Sequence, residues 1–344
     1  MAYISFQPKD YFNTKLYTGT GSSNAQTGVG FQPDWVWIKN RDAAEAHSLY
    51  DAVRGTQKVI YSNLTNGQAT ETNGLSSFDS DGFTVGSSGA INGSSQNIVS
   101  WNWKANGQGS SNTDGSINTT YTSANTTSGF SISTYTGTGA NATVGHGLGV
   151  VPSVVIVKRY SFQGDWIGYF KALGNTKNAR FNTTDAADTN STVWNSTTPT
   201  SSVFSVGTFG ETNASGYTYV AYCFAPIKGF SAMGSYTGNQ NANGTFTFTG
   251  FKPAFVMIKN ATQSGDRWII HDDKRDPDNG CNHRLFPDGN IVESTSTTSL
   301  DFLSNGFKQR TDAGTSNTNG QTYIYMAFAE APLVSSNGVP ATAR

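Results

Sequence analysis

Charge is scarce in this chain. Only 13% of its 344 residues are Asp, Glu, Lys or Arg and the formal net charge is −1, so neither a nucleic-acid partner nor a polybasic membrane contact is expected. Cysteine is scarcer still. Cys223 lies inside the apolar run Tyr219 to Phe224 and Cys281 in a polar stretch, a placement that predicts one buried thiol and one loop thiol rather than a disulfide, and no thiolate metal site. The four histidines, His47, His146, His271 and His283, share no ligand spacing, so no metal is expected. No window approaches the roughly 18 apolar residues of a membrane span. Residues Met1 to Phe12 lack the apolar core of a secretory signal, so classical secretion is not expected.

What the chain does contain is aromatics, at 12%, with 38 Gly and long runs of Ser, Thr and Asn. That is the composition of strands joined by turns, with almost no helix. One stretch occurs three times: Gly30-Phe31-Gln32-Pro33-Asp34-Trp35-Val36-Trp37-Ile38-Lys39, then Gly149 to Lys158, then Gly250 to Lys259. Each copy is Gly, two residues, Pro, one residue, four apolar residues and Lys. Proline suits the start of a strand, and four consecutive apolar residues predict a central strand packed on both faces. Lys39, Lys158 and Lys259 are expected to mark where that strand meets water.

A second signature precedes each copy: Tyr17-Thr18-Gly19, Tyr135-Thr136-Gly137 and Tyr236-Thr237-Gly238, with Phe12, Phe130 and Phe230 five or six residues earlier. The tyrosines are 118 and then 101 residues apart and the prolines 119 and then 101, so the two anchors move together as a duplicated unit does. After the central strand come Asp51 with Arg54, and Asp272 with Arg275; the second copy has Phe170 and Leu173 instead. Asp81-Gly82 and Asn305-Gly306 read as hairpin turns. Each copy closes on an alternating strand: Ile98 to Trp103, Tyr217 to Phe224, Tyr323 to Phe328.

The expected fold is all-β, with three tandem β-sandwich (jelly-roll-like) modules of about 95–105 residues, a length at which a two-sheet sandwich buries its own core. The divisions are an N-terminal arm 1–11, module one 12–105, a polar linker 106–128, module two 129–227, module three 228–332 and a tail 333–344. The long linker, against only Pro226 to Gly229 between modules two and three, predicts that module one sits apart from a rigid pair.

The pattern Tyr-Thr-Gly, Gly-Phe-x-Pro-x-(apolar)4-Lys-Asn, Asp-Gly-Phe and an aromatic closing strand resembles the repeated module of virion structural proteins of marine tailed bacteriophages, commonly described as tail-fibre-like. The likeness extends over nearly the whole chain. It is closest at Phe12 to Arg41, Phe78 to Gly86 and Ser111 to Lys158, which includes Thr143 to Gly149. It implies a non-enzymatic β-rich assembly or attachment protein located in the virion, with other virion proteins and copies of itself as partners, and brings no catalytic residues and no cofactor. A tail-fibre or receptor-binding component is the first reading. A capsid decoration or cement protein is the alternative, and a glycan-degrading tailspike enzyme the third.

Individual sites are read on their own chemistry. Asp79-Ser80-Asp81-Gly82 opens like a calcium loop but lacks the remaining ligands, so a turn is expected. The cluster Asp272, Asp273, Asp276, Asp278 with His271 and His283 holds the richest chemistry, yet Lys274, Arg275 and Arg284 offer it neutral pairing. Trp166, Tyr169, Trp194 and Trp268 are candidate contacts for a host-surface glycan, by stacking beside polar groups. Tyr3 and Phe6, alternating in an apolar arm, are expected at an assembly interface.

Overall fold

The structure is a computed structural model that describes residues 7–312 and 314–329. Tyr3, Phe6 and the tail lie outside the described residues. The fold is all-β and antiparallel. The same four-strand order recurs three times, as opening, closing, central and flanking strand. The opening strands are Phe12–Thr18, Phe130–Thr136 and Ser231–Thr237. The central strands are Trp35–Asn40, Val154–Arg159 and Phe255–Asn260, each beginning two residues after Pro33, Pro152 or Pro253. The flanking strands are Ser48–Asp51, Trp166–Phe170 and Ile269–Asp272, and the closing strands Asn97–Trp103, Thr218–Phe224 and Thr322–Phe328.

The central strands are buried on both faces, as four apolar residues in a row require. Trp35, Trp37, Val154, Ile156, Phe255 and Met257 point into one core common to all three segments. The alternate residues point the other way, into three separate cores beneath smaller outer sheets: Val36 and Ile38 with Phe83 and Val85, Val155 and Val157 with Phe204 and Val206, Val256 and Ile258 with Phe302 and Phe307. A period of two thus fills two cores from one strand.

The Tyr-Thr-Gly signature has a mechanical cause. The Tyr17, Tyr135 and Tyr236 hydroxyls donate to the carbonyls of Ile91, Thr212 and Ser316 at 2.6, 2.7 and 2.6 Å. Those carbonyls lie in one-turn helices, Gly89–Asn92, Gly210–Asn213 and Gly314–Asn317, each ending on a fully buried Asn. Asn92 Oδ1 accepts from Thr20 N at 2.9 Å while Nδ2 donates to Ser22 and Gly86 carbonyls, and Asn213 and Asn317 repeat the pattern. A Cβ on Gly19, Gly137 or Gly238 would run into the backbone just after that Asn. Gly137→Ala is therefore expected to cost about 1–3 kcal/mol by overpacking, read as a lowered urea midpoint.

Residues 106–128 do not form a free link. Tyr121–Asn125 pairs along Phe130–Thr136 as an added edge strand, and Ile117, 6% exposed, bridges to Val144. Hydroxyls and backbone amides hold the rest: Thr119 with Thr122 at 2.9 Å, Thr122 with Ser133 at 3.0 Å, and Gly107 N on Asp34 at 3.1 Å. Short polar side chains here saturate backbone groups, so a polar composition did not mean flexibility. Nor does the first segment stand apart. Phe12 lies 5.4 Å from Phe328 and Trp35 stacks on Tyr222 at 4.6 Å, which places first-segment aromatics against both other segments.

Candidate functional site

The segments grip one another by a repeated set of contacts. Trp166 Nε1 of the second donates to the Tyr61 carbonyl of the first at 2.8 Å, and Trp268 Nε1 of the third to the Arg180 carbonyl of the second at 2.8 Å. The matching position in the first segment is His47, buried beside the Phe286 backbone of the third. Its Nδ1 accepts from Trp37 Nε1 at 2.9 Å, and burial holds its pKa well below the ordinary value.

The acid and arginine spaced by three belong to this grip. Asp51 accepts from Arg54 N and Nε at 2.8 and 2.5 Å, and from the Tyr222 hydroxyl of the second segment at 2.7 Å. Asp272 accepts from Arg275 N and Nε at 3.0 and 2.6 Å, and from Trp101 Nε1 of the first segment at 3.0 Å. In strand register Phe170 takes the place of Asp51 and Asp272, and Met326 the place of Trp101 and Tyr222. A carboxylate stands where the adjoining closing strand brings a donor, whereas Phe170 and Met326 are both apolar members of the common core.

Lys39, Lys158 and Lys259 do not meet water; their exposures are 0%, 0% and 1%. Each ammonium donates to loop carbonyls: Lys39 to Asn40 and Ala43 at 2.6 and 3.0 Å, Lys158 to Thr65 of the first segment at 2.9 Å and to Gly164, Lys259 to Thr184 of the second at 3.3 Å and Asn260 at 2.8 Å. Loops of adjoining segments roof the strand ends, which a strand-by-strand reading does not anticipate. Burial lowers all three pKa values from 10.5 to about 8. Above pH 8 the unfolded chain then binds more protons than the folded one, so stability rises with pH. Burial raises Cys223 and Cys281 to about 12 and lifts the buried tyrosines, which reverses the slope from about pH 9–10. Melting temperature should climb between pH 7.5 and 9 and fall beyond 10, and Lys→Met at all three positions should remove the climb.

The same end of the inner sheets carries one departure from the threefold pattern. In the first and third segments the residue after the lysine is an Asn paired to the Gln just before the closing strand: Asn40 Nδ2 donates to Gln96 Oε1 at 2.6 Å, and Asn260 Nδ2 to Gln321 Oε1. Their Oδ1 atoms accept from Ala43 N and Gln263 N at 3.0 and 3.1 Å. The second segment has Arg159, Tyr217 and Phe162 in these places. Phe162 and Tyr217 are 50% and 36% exposed with ring centroids 5.7 Å apart, and the guanidinium lies 5.5 and 5.1 Å from the two rings. Arg159 is itself committed: it donates to the Gln163 carbonyl at 3.0 Å, to the Gly210 carbonyl at 3.4 Å and to Glu211 at 3.4 Å. Burial pushes the Glu211 carboxyl up, against the lowering pull of Arg159. First-segment residues form the rim, with Thr65 O accepting from Gly164 N and Gln68 N donating to Tyr160 O, both at 2.7 Å.

The residues expected to contact glycan are elsewhere. Trp166, Tyr169, Trp194 and Trp268 are at most 2% exposed and serve the cores, Tyr169 packing on Trp194 at 5.9 Å. Their size and apolar area outweighed their polar edge. Cys281 is not a loop thiol either; both cysteines are free and buried. The acidic cluster is divided, Asp272 to Arg275 and Trp101, and Asp276 to the His283 ring at 2.6 Å and to the Asn282 and His283 amides. Asp81 sits in the hairpin turn, accepting from Gly28 N and Gly30 N at 2.9 and 2.6 Å. Among the described residues no group of three or more His, Cys, Asp or Glu is arranged to hold a metal, and no helix is long and apolar enough to cross a membrane. Sequence reasoning missed Arg159, Phe162 and Tyr217. The signal was Lys158-Arg159 standing against Lys39-Asn40 and Lys259-Asn260.

Fold and end face together define an all-β protein of antiparallel sheets built on a threefold internal repeat. The chain belongs to the family described as a domain of unknown function (DUF7483), whose model matches residues 7–332. No curated protein and no solved structure matches it.

Proposed function

We propose that the chain is a non-enzymatic structural component of a tailed-phage virion, made of three β-sandwich units and working in the tail-fibre or receptor-binding apparatus. One observation carries this reading: the two ends of the body differ. At one end Phe12, Trp103 and Phe328 meet, with the Tyr11 ring 6.4 Å from Phe230. The opposite end holds the buried lysines, the interlocking loops and the exposed Arg159–Phe162–Tyr217 cluster. A body joined to the particle at the first end presents the second outward. Ion pairs and backbone contacts that lock loops across segments favour a rigid presenting scaffold: Arg41 with Glu293 at 2.6 Å and Ser62 Oγ with the Pro287 carbonyl at 2.7 Å both join the first segment to the third. The carboxylates that acid/base chemistry would use are taken up by arginines, histidine and backbone amides, so incubation with host polysaccharide should leave it uncleaved.

Fitting residues 7–329 into a reconstruction of the virion tests the assignment. Density at the tail tip, with the Phe162 end facing away from the particle, is the expected result. Density spread over the shell would replace it with the capsid-decoration reading.

A further inference from the structure

We infer that Phe162 and Tyr217 form a stacking platform for a neutral saccharide, at the junction of the first and second segments. The inference rests on the attachment reading and names its receptor chemistry. Four positions change together here. Asn, Gln and a residue that is Ala43 or Gln263 elsewhere become Arg159, Tyr217 and Phe162, and the Ala90 and Thr315 position becomes Glu211. The replacement gives up a closed amide pair for two half-exposed rings, which folding alone does not favour.

The ligand class follows from the charges. Every described contact of the Arg159 guanidinium is to a protein acceptor or a ring, and Glu211 neutralises it, so no cation is left to hold a phosphate or carboxylate. Exposed rings favour a flat apolar ligand face, and a guanidinium beneath them fixes their tilt. The exposed neighbours Ser161, Gln163, Asn66 and Ser215 are neutral and polar, the nearby Asp165 is paired with Arg180 at 3.2 Å, and a Cβ on Gly67 would sit only 3.0–3.2 Å from the Tyr160 and Phe162 backbones, so Asn66 borders the platform. A pyranose offers what this surface takes, an axial C–H face for the rings and hydroxyls for the amides.

The test uses purified full-length chain and maltohexaose, laminarihexaose and, as an anionic control, an alginate hexasaccharide, followed by saturation-transfer NMR and titration. The variants are Phe162→Ala and Tyr217→Gln, whose melting temperatures should stay within about 2 °C of the parent because both side chains are surface groups. Expected is binding of a neutral hexasaccharide, weakened at least tenfold in each variant, with the alginate probe unbound. Equal affinity in parent and variants, or preference for the alginate probe, overturns the platform. Adsorption of particles carrying the variants separates the two levels. Absent saccharide binding with impaired adsorption sinks the saccharide while attachment stands, and absent binding with normal adsorption sinks both.

Discussion

Asp272→Ala is expected to lower stability by about 3–5 kcal/mol, the range for removing one partner of a buried ion pair. Arg275 and Asp272 side chains are both 0% exposed, and the carboxylate also takes the Trp101 indole proton from another segment. The substitution leaves a guanidinium with only Glu293 at 2.9 Å and the Ile270 carbonyl at 3.0 Å, and an indole N–H without its acceptor. Converting the site to the second segment's solution should recover much of that loss. Asp272→Phe with Arg275→Leu and Trp101→Met places apolar groups where Phe170, Leu173 and Met326 stand, and replacing a buried pair by packed apolar residues is often neutral. Urea titration of the single and triple variants checks this. A single variant within about 1 kcal/mol of the parent would mean that the pair is solvated and does not join the segments.

Trp35→Ala should be as severe, at about 3–5 kcal/mol. The indole lies 4.6 Å from both Trp103 and Tyr222, 5.8 Å from Phe130 and 5.9 Å from Phe224, so the cavity opens between segments rather than inside one. The effect should therefore reach residues of the second segment. Hydrogen exchange at Ser131 to Thr134, on the opening strand beside Phe130, should accelerate along with that at Val36 to Ile38. Acceleration confined to residues 12–105 would show that the shared core does not couple them.

Much of the fold was legible because strand burial writes itself into short patterns. Four apolar residues between Pro and Lys announced a strand covered on both faces, and the intervals between anchors announced the repeat. What covered the second face was not legible. A run such as Trp35 to Ile38 reads the same whether its outward side meets its own second sheet or two foreign ones, so the common core escaped notice. The same blindness misplaced the lysines: Lys158 is buried by Thr65, 93 residues away, and a window around the strand holds no trace of that contact. Trp166 and Trp268 were given to a ligand for the same reason, since the carbonyls they bond, of Tyr61 and Arg180, are 105 and 88 residues distant. The Asp/Arg pairs were visible as a spacing, but that their carboxylates also reach a donor of a neighbouring segment, Tyr222 or Trp101, was not. The end-face cluster was within reach, because repeats invite comparison position by position, and Arg159 breaks an otherwise shared Lys-Asn.

The central claim is that three repeats close on one core and fold as a unit. Calorimetry of the whole chain tests it most directly. A single transition whose calorimetric and van't Hoff enthalpies agree is the predicted result, because aromatics of all three segments are packed in that core. Separable transitions, with a calorimetric enthalpy about three times the van't Hoff value, would contradict it and return the chain to three modules melting independently.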